Sequence, residues 1–390
     1  MVPDSVYRYR ILQFAGAAAA LLFLIELIPS PAIAQTPSSA PIIKRATPSR
    51  DPNTVGIVAG GAEEGALRFV NEISRVVAAG QETGPNGELA LRVLPIVGRG
   101  GVHDVRDVLS LPGVDMAIIP EPLLTRLQES KELGDLKGRI VYVTKLINEE
   151  LHVMAREDIR QVSDLAGKPV NLGDYGGSVE HIALDLFRTL GVKVSEAHLG
   201  REEALEEMRH GRVAATAFLA SQPAANIEGL TGDGGFHLIS IPLPVDATLY
   251  LPTSLRHEDY PKLIPIGEKV ETVAVGTVLI AYNWPEKSSR YPLLGSFVEA
   301  FFSRFSEFQA TFRHPKWQEV NLATTLPGWK RFKPADRWLQ NSQARQPSTA
   351  ATGSVTQPAI SRTPAMEGRG AETERLFEEF LQWRERRGKR

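Results

Sequence analysis

Two glycine-rich segments are the part of this sequence best suited to binding a ligand. Residues 59–65, which include Gly60 and Gly61, and residues 173–178 each follow a strand-forming run and precede a helical pattern. At the start of a helix the backbone N–H groups lack partners, and the helix dipole favours a negative charge. Two such segments facing one cleft would hold a carboxylate or a phosphate with few side chains. The alternative is that these glycines serve only to make tight turns.

Arg99 lies at a third strand-to-helix turn, directly before Gly100 and Gly101. A guanidinium group can donate two parallel hydrogen bonds to a carboxylate, so Arg99 is a candidate contact for an acidic ligand. The alternative is an ordinary solvated arginine on the surface.

The second glycine-rich segment also carries an aromatic ring and a hydroxyl group. Tyr175 can stack on a ligand, whereas Ser178 can either hydrogen-bond to it or cap the following helix. Phe218 and Ser221 end a predicted strand, where they either face the ligand or belong to an ordinary turn before Pro223. The predicted ligand-binding residues are therefore Gly60, Gly61, Arg99, Gly100, Gly101, Tyr175, Gly176, Gly177, Ser178, Phe218 and Ser221.

The motifs of the common enzyme and cofactor sites are absent from the sequence. Its glycines do not have the G-x-G-x-x-G spacing of a dinucleotide site, and G-x-x-x-x-G-K-[ST] does not occur. The G-x-S-x-G turn of a serine nucleophile is also missing. The eight histidines lack a metal-ligand spacing, and there is no cysteine. We therefore predict that the protein is not an enzyme and has no cofactor and no metal site.

Two similar blocks of alternating strands and helices would position the candidate residues. The first block covers residues 54–150 and ends in a predicted strand over 139–146. The pattern restarts with a predicted strand over 151–155 and continues to about residue 265. Strands that alternate with helices are typical of a parallel-rich α/β sheet. We therefore predict an α/β fold with two similar lobes.

The chain is predicted to return to the first lobe over residues 266–340. This stretch contains a strongly β-forming run, 272–282, and one long predicted helix, 291–312, whose phenylalanine stripe we attribute to core packing. Residues 341–371 are rich in Ser, Thr, Pro and Ala and form a predicted disordered linker. Residues 372–390 form a predicted amphipathic helix that docks on the body, on a partner or on a membrane surface.

The N-terminal residues indicate the cellular compartment. Two arginines precede an apolar run over residues 11–28, and a proline-containing stretch then ends in Ala32-Ile33-Ala34. This pattern is typical of a secretory signal peptide, which we assign to residues 1–34. An uncleaved membrane anchor is the alternative, because the run is almost long enough to span a bilayer. Residues 35–53 then form a flexible tether, and we predict a periplasmic location.

The overall charge gives no reason to expect nucleic acid as a partner. The 44 lysines and arginines balance 46 aspartates and glutamates, so the formal net charge is only −2. The absence of cysteine also excludes a lipidated N-terminal cysteine. We expect a monomer that binds a small molecule.

Six short segments carry a family resemblance through their order and spacing. They are VGIVAGG at 55–61, GRGGVHDV at 98–105, VDMAII at 114–119, LAGKPVNLG at 165–173, GRVAA at 211–215 and TVAVG at 272–276. Together they resemble the TAXI family of TRAP-transporter solute receptors, over roughly residues 55–337. The resemblance implies a type II periplasmic-binding-protein fold, in which two α/β lobes joined by a hinge and by two crossing strands enclose a ligand. That ligand is often a small carboxylate.

The resemblance also implies a membrane permease subunit of a TRAP transporter as partner. We therefore predict an extracytoplasmic receptor that captures a small organic, carboxylate-bearing ligand and delivers it to this permease. The alternative is a periplasmic sensing or partner-binding module on the same fold, without a role in transport. The identity and charge of the ligand do not follow from the sequence.

Overall fold

The structure is a computed structural model that describes residues 52–61, 65–79, 91–224, 227, 235–245 and 248–345, without the side chains of residues 343–345. The predicted signal peptide, nearly all of the tether, most of the linker and the C-terminal helix lie outside the described residues. Within the part of the chain that the structure describes, none of the helices has the length and hydrophobicity of a membrane-spanning segment.

The described residues contain seven α-helices and ten β-strands. The helices are α1 (Ala66–Ala79), α2 (Gly101–Ser110), α3 (Glu121–Ser130), α4 (Ser178–Thr189), α5 (Arg201–Arg209), α6 (Arg290–Ser303) and α7 (Lys333–Arg345). The strands are β1 (Thr54–Val58), β2 (Arg92–Ile96), β3 (Met116–Pro120), β4 (Ile140–Arg156), β5 (Pro169–Asn171), β6 (Ser195–Ala197), β7 (Ala215–Ala220), β8 (Phe236–Leu238), β9 (Leu251–Arg256) and β10 (Lys269–Tyr282).

All ten strands belong to one sheet, in the order β2-β1-β3-β10-β4-β7-β5-β6, with β8 beside β4 and β9 beside β10. The parallel strands β1–β3 with α1–α3 form one half, here called lobe 1. The parallel strands β5–β7 with α4, α5, β8 and β9 form the other half, here called lobe 2. The long strands β4 and β10 run antiparallel to each other through both halves. Two α/β lobes joined by two crossing strands confirm the predicted fold class.

Strand β4 is the main difference from the predicted elements. The sequence predicted two strands, 139–146 and 151–155, where the structure has one strand of 17 residues. At about 3.3 Å per residue, such a strand spans roughly 55 Å, enough to cross both lobes. The polar stretch Asn148-Glu149-Glu150 lies between the two predicted strands, and all three residues pair with β10. A strand can continue through polar residues when a neighbouring strand satisfies its backbone.

Each lobe has its own apolar core. In lobe 1 the buried face of α1 packs with the phenylalanines of α6, and this confirms the core role predicted for the phenylalanine stripe. In lobe 2 the buried face of α4, including Phe187, packs against β5 and β7. Separate cores on the two sides of shared strands allow each lobe to keep its shape when the strands between them bend.

The predicted long helix over 291–312 is two shorter elements. Helix α6 ends at Ser303, and a 3-10 helix follows over Phe305–Gln309. The apolar pattern continues past Ser303 because the ring of Phe308 packs 4.6 Å from that of Trp317, centroid to centroid. The predicted linker also begins later than residue 341, since α7 continues to Arg345.

Buried ion pairs attach the returning segment to the sheet. The guanidinium of Arg290 pairs with the carboxylate of Asp115, which is completely buried and also accepts the N–H of Gly56 at 3.0 Å. Lys316 donates to Glu150 on β4 at 2.7 Å, and the N–H of Gln222 donates to the same carboxylate at 2.8 Å. Glu150 therefore joins the crossing strand to residues from both lobes.

Candidate functional site

The parallel strands of both lobes end at the same gap between the lobes. The segments that follow β1, β3, β5 and β7 lie at this edge, and helices α2 and α4 begin there. In open α/β sheets, ligands bind outside the carboxyl ends of the strands. The gap is therefore the place in the fold where a ligand site is expected.

The first turns of α2 and α4 contact each other directly across this gap. The N–H of Gly101 donates to Ser178 Oγ at 3.2 Å, and the N–H of Val102 donates to the carbonyl of Gly176 at 3.1 Å. A Cβ atom on Gly101 would lie 2.2 Å from that carbonyl oxygen, so the two backbones leave no space between them. In this conformation the two helix starts bind each other, and no ligand fits between them.

Asp104 occupies the position predicted for the anionic group of a ligand. Its carboxylate is completely buried and accepts the N–H of Gly60 at 2.8 Å and the N–H of Gly100 at 3.1 Å. Burial raises the pKa of Asp104 to about 6, although these N–H groups act in the opposite direction. The glycine N–H groups predicted to bind an anion are thus used by the protein's own carboxylate.

A cavity of about 60 Å³ lies beside this contact, mostly in lobe 2. Gly61 closes it from lobe 1, and a Cβ atom at this position would lie 3.0 Å from Asp174 Oδ2. The polar side chains of its wall are Asn171, Asp174 and Arg201. The other lining residues are Gly173, Val179, Leu199, Gly200, Ala217, Phe218 and Leu219.

The three polar side chains of the cavity wall differ in their hydrogen bonding and in their exposure to solvent. Asn171 is buried, donates to Thr216 Oγ1 at 3.0 Å and accepts the N–H of Leu199 at 2.8 Å. Arg201 begins α5, is partly exposed and donates to Glu202 Oε1 at 2.9 Å. Asp174 is exposed. Asn171 therefore has a fixed orientation, whereas the two charged side chains border solvent.

A pair of histidines lies behind the lobe contact. His103 on α2 has its Nε2 atom 3.1 Å from the carbonyl oxygen of Tyr175. Burial lowers the pKa of His181 on α4 to about 4, and the charges of Arg126 and His103 act in the same direction. His181 is therefore neutral at physiological pH, which avoids a partly buried positive charge next to the contact.

The structure distributes the predicted ligand-binding residues over several roles. Gly61 and Phe218 line the cavity. Six residues form the lobe contact or support it: Gly100, Gly101, Tyr175 (through its carbonyl), Gly176, Gly177 and Ser178. Gly60 binds Asp104, and Arg99 is exposed.

Two predicted side chains point away from the cavity. The ring of Tyr175 is 72% exposed and packs edge-on against His198 with the centroids 5.4 Å apart. Ser221 Oγ donates to the carbonyl of Asn148 at 3.0 Å and so supports the crossing strand.

Three residues that give the site its charge are not among those predicted from the sequence. Asp104, Asp174 and Arg201 each lie within a segment that the sequence places at a loop or a helix start. One signal was available for Asp104, because an acidic residue in the first turn of a helix is placed to accept nearby N–H groups. Arg201 carries no comparable local signal, since its place in the cavity depends on how α5 packs against β7 and β4.

Comparisons with known proteins place the chain in a family. The sequence model described as the NMT1-like family matches residues 99–327, which is more than half of the chain. No curated protein sequence matches the chain significantly.

Several solved structures of binding proteins resemble this one at low identity. The periplasmic aliphatic sulphonate binding protein SsuA from Escherichia coli is 17% identical, with a TM-score of 0.37, over 82% of this chain and 99% of that one. MatC from Rhodopseudomonas palustris with bound malate is 15% identical, with a TM-score of 0.44, over 75% and 97%. The alkanesulfonate-binding protein SsuA from Xanthomonas axonopodis pv. citri, bound to MOPS, is 14% identical, with a TM-score of 0.38, over 74% and 84%.

Proposed function

The chain belongs to the NMT1-like family, and from this premise we propose that it is an extracytoplasmic solute-binding receptor rather than an enzyme. It captures a small organic ligand between its lobes and delivers it to a membrane permease of the TRAP type. The observation that carries the proposal is the cavity at the carboxyl edge of lobe 2, which Gly61 of lobe 1 closes. The predicted signal peptide supports a periplasmic location, and the resemblance to TAXI receptors supports the choice of permease.

The size of the cavity supports a receptor that opens and closes. Its volume of about 60 Å³ holds a few water molecules, whereas pockets for organic ligands are usually about 300–1,000 Å³. A ligand can enter only when the lobes move apart. Strands β4 and β10 provide the hinge, and the pairing between them already shifts register near Gly276.

The wall of the cavity supports a ligand that carries a carboxylate. Arg201 provides a guanidinium group for a carboxylate, and Asp174 provides an acceptor for an amino or hydroxyl group. Val179, Phe218 and Leu219 provide an apolar surface. We therefore keep the prediction of a small carboxylate-bearing ligand. Its carboxylate binds Arg201 instead of the N–H groups of the glycines.

A thermal-shift screen tests this function. The protein is heated with small carboxylates, amino acids, sugars and neutral controls, and a ligand at one hundred times its Kd adds about 2.7 kcal/mol of stability. We expect a carboxylate to raise the Tm of the wild type and of Arg209→Gln, which alters an exposed arginine at the other end of α5. Arg201→Gln should lose most of the shift. A screen without any hit, or equal shifts in both variants, would contradict the proposal.

One observation favours the alternative of a sensing or partner-binding module. The lobes are joined by direct hydrogen bonds, and Asp104 fills the anion position, so closure does not require a ligand. Small-angle scattering separates the two functions. A receptor changes its radius of gyration when the ligand identified in the screen is added, whereas a module that remains closed does not.

A further inference from the structure

Three side chains with metal-binding chemistry meet outside the cavity, next to the segment 173–178. Glu180 is in the first turn of α4, Glu196 is in the edge strand β6, and His198 follows that strand directly. One ligand atom from each lies within 4.8 Å of the other two. We propose that Glu180, Glu196 and His198 bind a divalent transition-metal ion, with Zn²⁺ the best match.

The spacing of the ligand atoms fits a single ion. Glu196 and His198 are two residues apart on an extended segment, so their side chains point to the same face. His198 Nε2 and Glu196 Oε2 are 3.9 Å apart, which is too long for a hydrogen bond. Ligands at about 2.0–2.2 Å from one ion lie roughly 3–4 Å from each other. A small rotation of the exposed Glu196 side chain completes the approach.

His198 and Glu180 also make hydrogen bonds to the backbone, as metal ligands in proteins commonly do. His198 Nδ1 is 3.0 Å from the carbonyl oxygen of Gly173, which can only accept, so Nδ1 carries the proton. The Nε2 atom, on the side of Glu196, therefore has a lone pair available for a metal ion. One oxygen of the buried Glu180 accepts the N–H of Gly176, and its second oxygen can ligate. Such backbone contacts fix the orientation of histidine and carboxylate ligands in metal sites.

The donor set selects among the common ions. An imidazole nitrogen suits Zn²⁺ and its neighbours in the transition series, whereas Mg²⁺ and Ca²⁺ prefer oxygen donors throughout. Three protein ligands leave one tetrahedral position for water or for another molecule. Glu196 and His198 are exposed, so an ion can enter from solvent.

Metal binding at this site would act on the contact between the lobes. Through their hydrogen bonds to Gly173 and Gly176, His198 and Glu180 connect strand β6 and the start of α4 to the segment 173–178. The same segment contains the carbonyl of Gly176, which accepts the N–H of Val102 from lobe 1. A bound ion would therefore rigidify the lobe 2 side of this contact. The proposal does not depend on the identity of the ligand or on a role in transport, because none of the three side chains lines the cavity.

Calorimetric titration with ZnCl₂ tests the proposal on the full chain after treatment with a chelator. We expect one ion per chain, and at least a tenfold loss of affinity in both His198→Ala and Glu196→Gln. The matched control is His210→Ala, because His210 is exposed and lies 3.5 Å from the carboxylate of Glu206, but the described residues offer it no third ligand. This variant should bind Zn²⁺ as the wild type does.

Cobalt provides an independent readout of the same site. Co²⁺ bound by one imidazole and carboxylates gives visible absorption bands, which should appear with the wild type and be lost in His198→Ala. Circular dichroism without metal shows that the variants are folded. The proposal is overturned if the wild type binds no Zn²⁺ at micromolar concentration, if the two site variants bind like the wild type, or if Mg²⁺ binds equally well.

Discussion

Asp104 shows how one buried side chain changes the chemistry of a glycine-rich site. Its two oxygens accept N–H groups from the segments after β1 and β2, through Gly60 and Gly100. An external carboxylate would make the same hydrogen bonds. The carboxylate of Asp104 is part of the same chain, so its effective concentration at these N–H groups is high. An anionic ligand can therefore bind them only if the start of α2 moves away.

Replacing this carboxylate should expose the donors. Asp104→Ala leaves the two buried N–H groups without a partner, so we expect a loss of about 2–4 kcal/mol in the free energy of unfolding. Formate should restore part of this loss, since it fits the vacated space and provides the same acceptors. Urea unfolding with and without formate measures both effects. Asp107→Ala, one turn further along α2, is the control, and equal behaviour of the two variants would contradict this role.

His152 is the most completely buried titratable group of the crossing strand. The N–H of Ala224 donates to the oxygen of Tyr260, whose hydroxyl lies 2.8 Å from His152 Nε2. His152 Nδ1 is 2.9 Å from the carbonyl of Glu150, so Nδ1 carries the proton and Nε2 accepts from the hydroxyl. Burial lowers the pKa of His152 to about 4. Its neutral form is therefore part of the folded structure.

The pKa of His152 predicts a loss of stability in acid. The unfolded chain takes up a proton near pH 6.5, whereas the folded protein takes it up only near pH 4. Stability from the neutral ring is therefore present above pH 6.5 and declines as the pH falls towards 4, by about 2 kcal/mol between pH 7 and pH 5. In His152→Gln this fraction of the pH dependence should disappear, as measured by urea unfolding at the two pH values. His210→Gln at an exposed position should keep the full dependence.

At the scale of secondary-structure elements, the contact between α2 and α4 depends on close approach of two backbones. Gly101 has a φ of 59°, and a Cβ atom there would meet the Gly176 carbonyl oxygen at 2.2 Å. Gly191, just after α4, also has a positive φ, but a Cβ atom there would meet nothing within 4 Å. Substitution of either glycine costs about 1 kcal/mol for the backbone conformation. Only the first would also separate the two helices.

This pair of glycines predicts different effects of the same substitution. With the ligand identified in the thermal-shift screen present, we expect Gly101→Ala to keep the lobes apart and to give a larger radius of gyration than the wild type in small-angle scattering, because the methyl group cannot fit against α4. Gly191→Ala should lower the Tm slightly and leave the scattering curve unchanged. If Gly101→Ala gives the scattering curve of the wild type, the contact is absent in solution.

At the scale of the whole molecule, the two lobes share their sheet and are expected to unfold together. Four of the five tryptophans lie in the returning segment, which packs on lobe 1: Trp284, Trp317, Trp329 and Trp338. The fifth, Trp383, lies outside the described residues. Tryptophan fluorescence therefore reports mainly on lobe 1, whereas circular dichroism reports on the whole chain.

A cavity made in lobe 2 tests this coupling. Phe187→Ala removes a side chain that is 1% exposed in the lobe 2 core, and we expect a loss of about 3–5 kcal/mol. If β4 and β10 couple the lobes, the urea midpoints by fluorescence and by circular dichroism decrease equally. A fluorescence midpoint that stays at the wild-type value would show independent unfolding. Phe312→Ala, at a side chain that is 78% exposed, should change neither midpoint.

The sequence by itself determined the features that depend on local order. Alternating strand and helix patterns predicted the α/β fold and its two lobes, because a helix or strand buries one face and therefore leaves its period in the sequence. The same reasoning assigned the phenylalanines of α6 to the core. Glycines between strand and helix also marked the edge of the sheet where the lobes meet.

Only the tertiary structure decided which groups meet at that edge. Gly60 finds its acceptor 44 residues away in Asp104, and Gly101 finds its acceptor 77 residues away in Ser178. Arg201 reaches the cavity through the packing of α5, and β4 continues through polar residues because β10 pairs with them. A residue's type limits which partners it can have. Its actual partner depends on how distant segments pack, and sequence periodicity carries no record of that packing.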